Sequence, residues 1–181
     1  QISPTSAQHV YDYFGENIEV ILDGGECQKG IESTIIGFDN DKPVLYRLGS
    51  ISMEDIISVA GEVVVHDQQV DKEIKSPGML ESHYAPRTDT HLTNDVASKI
   101  KRFPNKRIGL LMFQEKLTDA QIVVQEVLSV TGDFEEAAKS LYAAMHRLDN
   151  SNLDVIIAER LPDIGLGKSI NDRLTRASKE T

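Results

Sequence analysis

Apolar and polar positions change rhythm partway along the chain. In the first third, short apolar runs are cut by glycine. "SPTSAQHVYDYFG" predicts a helix start, with hydroxyls to cap it, a proline near the first turn, Val10, Tyr11 and Phe14 at helical spacing, and Gly15 to stop it. "IEVILDGG", "ESTIIGFD" and "KPVLYRLG" predict three strands, the last two joined by the polar turn "DNDK". "SMEDIISVAG" predicts a short capped helix and "EVVVHD" a further strand. Residues 67–88 keep neither period. A connection of that length predicts a functional or linking segment, and the domain boundary is placed there.

Beyond it, strand and helix patterns alternate. "THLT", "RIGLLMF", "AQIVVQEVLS" and "LDVIIAER" predict strands, with the second, third and fourth expected to be buried. "NDVASKIKRF", "DFEEAAKSLYAAMHRLDNS" and "SINDRLTRAS" predict helices. The long one carries an apolar stripe of Phe134, Ala137, Leu141, Ala144, Met145 and Leu148. Such alternation predicts a parallel sheet with right-handed crossovers, a small Rossmann-like layer. The expected fold class is α/β throughout, with residues 89–181 the more self-sufficient unit.

Composition narrows the function classes. At 40% hydrophobic residues, the 181-residue chain can bury a core. A net charge of −10 argues against a nucleic-acid face, and a phosphate ligand then needs local cations. The candidates lie near Arg47 and at Lys168, Arg173 and Arg176. One cysteine, no apolar run of membrane length and no leader pattern give a cytoplasmic expectation. The opening Gln1-Ile2-Ser3 reads as mid-domain, so a fragment is expected.

Several motifs carry candidate chemistry. "GLGKS" at 165–169 follows a strand and precedes a helix, as a phosphate loop does. The loop's first glycine, however, would fall on Pro162, which lacks an N–H, so a glycine-rich turn with Ser169 capping the last helix is expected. The turn "DGGECQKGIEST" allows close backbone approach and leads into the hydroxyls of Ser33 and Thr34. Cys27 within it has no visible His–carboxylate partner, so a plain thiol is expected. Arg47, at a strand end beside Gly49, is placed to meet a phosphate bidentately or to lie solvated. His9, His66, His91 and His146 show no paired spacing and no cysteine set, which disfavours zinc. His83 could act as a base or anchor a loop.

Taken in order, "SPTSAQHV", "ILDGG…GIESTII", "VLYRLGSIS", "SPGMLESHYAP" and "GLGKSINDRLTRAS" resemble the two-domain threonylcarbamoyl-AMP synthases, the YrdC-like family with an added C-terminal domain. The resemblance implies residues 1–66 as the end of a YrdC-like α/β twisted sheet, 67–88 as an interdomain linker and lid, and 89–181 as a Rossmann-like domain. It implies the condensation of L-threonine, bicarbonate and ATP to threonylcarbamoyl-AMP and pyrophosphate, for threonylcarbamoyladenosine in tRNA. It further implies Ser3, Arg47 and Tyr84 as nucleotide contacts and Ser33 as a threonine contact. No residue is assigned to catalysis and none to a metal; Mg²⁺ is expected to arrive with ATP. Downstream threonylcarbamoyl-transfer proteins are implied as partners.

Two departures stand out. Leu48 follows Arg47 where the family has proline, and Leu80-Glu81-Ser82 stand where it often has Lys-Tyr-Arg. The family's Lys-x-Arg and Ser-Ala-Asn segments do not occur, so this chain alone is expected to be inactive. The competing reading is a non-catalytic regulatory or docking module, which needs a protein-binding patch on 89–181. A hydrogenase-maturation relative ranks lower, because it should lack the linker and the "INDRLTRAS" tail.

Overall fold

The computed structural model describes residues 1–66 and 84–178. Helix α1 (Ala7–Phe14) is capped by Ser6, whose hydroxyl accepts from the His9 amide, and it ends at Gly15. Strands β1 (Ile35–Asp39) and β2 (Lys42–Arg47) form an antiparallel hairpin. Its two loop residues, Asn40 and Asp41, both take positive φ (48° and 62°), the geometry whose twist matches paired strands. Helix α2 (Met53–Ala60) is capped by Ser52 and closed by Gly61. Strand β3 (Val64–Val65) then pairs parallel to β2, giving the order β1-β2-β3.

The run 18–25, expected to be a strand, is not one. Val20 and Leu22 are 74% and 90% exposed. An extended run becomes a strand only beside a hydrogen-bonding edge, and among the described residues none lies next to it.

The second layer is wholly parallel. Strands β4 (Asp89–Thr93), β5 (Ile108–Met112), β6 (Ile122–Val127) and β7 (Val155–Glu159) lie in the order β4-β7-β5-β6. β5 is buried at every position and β7 at all but its last. β6, expected to be buried, sits at the sheet's edge and is only half-covered, with Val123 48% exposed. The link from β5 to β6 carries no helix. Helix α3 (Val96–Ile100) is a short turn capped by Asp95.

Helix α4 (Phe134–Asp149) starts at Asp133, whose carboxylate accepts from the Glu136 amide. It buries Ala137, Ala138, Leu141, Tyr142, Ala144, Met145 and Leu148, so the apolar stripe faces the sheet as the spacing requires. Helix α5 (Leu166–Ala177) begins three residues earlier than expected. Ser169 is therefore no cap. It lies inside the helix, fully buried, and donates to the Gly49 carbonyl at 2.8 Å. The early start brings Gly167 against the Pro162 carbonyl, 2.1 Å from where a Cβ would stand, so glycine is what lets the helix begin there.

The main core belongs to the parallel-sheet unit and takes in two side chains from the N-terminal segments. Ile2 and Ile31 from the first third, and Tyr84, join Leu141, Tyr142, Met145, Ile156, Ile170 and Leu174 in one buried cluster. Each fully buried aliphatic side chain contributes about 1.5–3 kcal/mol. Gly30 has φ +71° and passes within 2.4 Å, measured from an ideal Cβ, of the Lys139 Cα. A Cβ at residue 30 would collide with the α4 backbone, so no side chain fits there. The segment 30–33 is thus held directly on α4.

Candidate functional site

The residues that the "GIEST" turn brings forward meet α4 and α5 around one carboxylate. Glu32 is three-quarters covered (side chain 23% exposed), and both its oxygens accept hydrogen bonds. Its Oε1 accepts from the Ser3 hydroxyl at 2.8 Å, and both its oxygens lie within 3.1 Å of the Tyr142 hydroxyl, which donates. Oε2 also takes Nε and Nη2 of Arg173 at 3.3 Å. Burial alone would push this carboxyl upward. The Ser3 hydrogen bond, the Arg173 charge and the Tyr142 hydroxyl outweigh it and hold the group below its usual 4.5. Tyr142, buried beside that negative charge, is driven far above the ordinary phenol range.

Arg173 is completely buried and also reaches Asp172. Lys168 pairs with Glu54 at 2.6 Å and Arg176 with Asp172 at 3.0 Å. The three C-terminal cations named as phosphate candidates thus each face a carboxylate.

Ser33 follows Glu32 directly and is exposed. Arg47, at the end of β2, donates from Nε and Nη2 to the Ser33 carbonyl at 3.1 and 2.9 Å. It also donates to the Ser33 hydroxyl oxygen at 3.1 Å. That arrangement engages the Ser33 oxygen as an acceptor and leaves its proton to donate outward. Opposite, Tyr84 takes φ +68° and stacks on Tyr142 with ring centroids 5.6 Å apart. Its ring is 2% exposed, so here it forms a wall of the core rather than an open face. Burial and the Glu32 charge raise its hydroxyl's pKa. His83 and the rest of the 67–83 linker lie outside the described residues.

Ser3, Ser33, Arg47 and Tyr84 thus gather around Glu32, Tyr142 and Arg173. The sequence reading passed over Glu32 and Tyr142 and named Arg173 only among the candidate cations for a phosphate. Beside them opens a cleft of about 320 Å³ lined by Ser3, Thr5, Cys27, Lys29, Glu32 and Tyr142. Next to it, His9 and His146 stack with centroids 3.8 Å apart, and His146 Nε2 lies 3.2 Å from the Ser3 carbonyl. Both rings have pKa values lowered chiefly by burial. Among the described residues, no group of three or more His, Cys, Asp or Glu side chains could hold a metal.

Comparison with known proteins bears on the same segments. The family described as "Threonylcarbamoyl-AMP synthase, C-terminal domain" matches residues 51–179. The chain belongs to that family. Residues 1–49 match a second family, described as "Telomere recombination". Among curated relatives, the threonylcarbamoyl-AMP synthases of Pyrococcus abyssi and Bacillus subtilis are 35% and 34% identical. Each match covers 97% of this chain, and 54% and 53% of the relatives. That of Schizosaccharomyces pombe is 30% identical over 97% of this chain and 49% of its own. The chain spans about half the length of the curated relatives it matches.

Among solved structures, P. abyssi Sua5 complexed with L-threonine superposes with a TM-score of 0.80 at 33% identity. It covers 98% of this chain and 54% of that one. A variant of the same protein, with a His and the following Tyr changed to alanine, gives 0.82 at 32% identity with the same coverage. The α/β class, with an antiparallel hairpin and a parallel four-stranded sheet, agrees with the expected architecture of this synthase family.

Proposed function

We propose that the protein acts in the synthesis of threonylcarbamoyl-AMP from L-threonine, bicarbonate and ATP, a nucleotidyl transfer that serves tRNA modification. The observation that carries the reading is a chain of contacts: Ser3 and Tyr142 bond Glu32, Tyr84 stacks on Tyr142, and Arg47 bonds Ser33, the residue after Glu32. It is supported by relatives named for this activity and by a similar structure complexed with L-threonine. In the proposed reaction, the threonine amine adds to bicarbonate with loss of water and forms a carbamate. A carbamate oxygen then bonds to the α-phosphorus of Mg-ATP while the bond to the β-phosphate oxygen breaks, releasing pyrophosphate. Mg²⁺ belongs to the substrate in this scheme.

The residues' roles follow from their bonding. Ser33 offers its hydroxyl proton to the threonine carboxylate while Arg47 holds its oxygen. Arg47 itself is the cation nearest this hydroxyl and suits an anion bound there. Ser3 contacts the nucleotide, and Tyr84 does so by leaving the core position it takes here. The division into 1–66, 67–88 and 89–181 is proposed with this reading, as are a cytoplasmic setting and downstream transfer proteins as partners. For the docking-module alternative, the large exposed apolar side chains between residues 84 and 178 are Val123, Val130 and Ile164, which do not adjoin in sequence or element. Nothing there favours it.

Calorimetric titration of the chain with L-threonine in the presence of Mg-ATP tests the reading. Ser33→Ala should weaken threonine binding about tenfold, the scale of one hydrogen bond to a charged group. Threonine binding that is unaffected by Ser33→Ala and Arg47→Ala overturns it.

A further inference from the structure

We propose that Glu32 is a positioning residue that fixes the polarity of Ser3, so that the cleft selects the sugar or base of the nucleotide rather than its phosphates. This deepens the proposed function and rests on it.

A hydroxyl has one proton to give. The Ser3 proton is directed to Glu32 Oε1 at 2.8 Å, on a carboxylate that can only accept. Ser3 therefore presents lone pairs alone to the cleft it lines with Thr5, Lys29 and Tyr142. Ionised phosphate oxygens are acceptors too, and two acceptors facing one another cannot bond. A ligand group at Ser3 must donate. In ATP the donors are the exocyclic amine of adenine and the ribose hydroxyls.

Glu32 is prevented from turning away. The fully buried Arg173 on α5 holds Oε2, and the fully buried Tyr142 on α4 spans both oxygens. The parallel-sheet unit thereby acts on the ligand through Glu32 without touching it. The chain's direction is fixed as well, because the Ser3 carbonyl lies 3.2 Å from His146 Nε2 on the same helix α4.

The test compares ATP with inosine triphosphate, 2′-deoxy-ATP, 3′-deoxy-ATP and ADP as ligands of the chain, by calorimetry at neutral pH. One of the first three analogues should bind about tenfold more weakly than ATP, and which one tells amine from hydroxyl. That discrimination should fall to within twofold in Ser3→Ala. It should do the same in Glu32→Gln, whose amide can donate to Ser3 and free its proton. The ratio of ATP to ADP should not change in either. Tyr142→Phe, which keeps the ring and loses only the hydroxyl, should reduce the discrimination about threefold and covers the case in which Glu32→Gln does not fold. A purely structural Glu32 would shift all ligands alike. Undiminished discrimination in Glu32→Gln and Tyr142→Phe overturns the proposal while leaving the functional reading intact. So does a parent chain that distinguishes only ATP from ADP. No binding of any nucleotide to the parent chain overturns both.

Discussion

Single side chains decide how the site responds to acid. Glu32 ionises below its unfolded value of 4.5. Its contribution to stability is therefore complete above that value and is lost as pH falls through the lower, folded one. Thermal melts between pH 7 and 3 should show the parent losing stability below about pH 4.5, with a flatter curve for Glu32→Gln; parallel curves would contradict this. His9 and His146 act in the same direction in a higher window. Both are held neutral by burial, below 6.5, so acid costs stability once it must charge them inside the fold. The charged groups around the stack are Asp12, Arg147, Glu26 and Asp149, and the three carboxylates only partly offset burial. Replacing His146 by Gln should flatten the stability profile between pH 7 and 5. A profile as steep as the parent's would place that proton uptake elsewhere.

Elements show what could be read from the chain and what could not. The Asn40-Asp41 hairpin and helix α4 were legible because their signals are local: two residues tolerant of positive φ, and a stripe at helical spacing. The run 18–22 had the composition of a strand, but a strand is made by its neighbour, and composition cannot supply one. Ser169 looked like a cap because glycine preceded it. Its actual partner, the Gly49 carbonyl, lies 120 residues away in sequence. Ser169→Ala should cost about 1–3 kcal/mol by leaving that buried carbonyl unpaired, measured by urea unfolding; a neutral result would mean water replaces the hydroxyl.

Glycines separate in the same way. Gly30→Ala must push a Cβ into the α4 backbone at positive φ and should cost about 1–3 kcal/mol. Gly24→Ala meets nothing within 4 Å and should change stability by less than about 0.5 kcal/mol. Equal effects in urea would contradict the packing of segment 30–33 on α4.

At the scale of the whole molecule, the N-terminal segments and the parallel-sheet unit share a core and a charge cluster. Ile2 and Ile31 enter the cluster built by α4 and α5, and Glu32 meets partners 110 and 141 residues onward. Those separations explain why the sequence pointed to Ser3 and Tyr84 only through a family resemblance, marked Arg47 and Ser33 by their local setting, and left Glu32 unmarked. A motif read alone shows residue types, whereas the reason for Glu32 is Arg173 on a different sheet's helix. Removing that guanidinium, as in Arg173→Met, strands a covered carboxylate. It should cost about 3–5 kcal/mol, far beyond a surface ion pair.

The central claim is that ligand binds where these residues meet. The most direct measurement is an amide NMR titration of the chain with Mg-ATP, with Tyr84→Ala as the control. Localised shifts at Ser3, Glu32, Ser33, Arg47 and Tyr84 that vanish in the variant are the predicted result. Saturating shifts confined to other surfaces, or none at millimolar ATP, would contradict it.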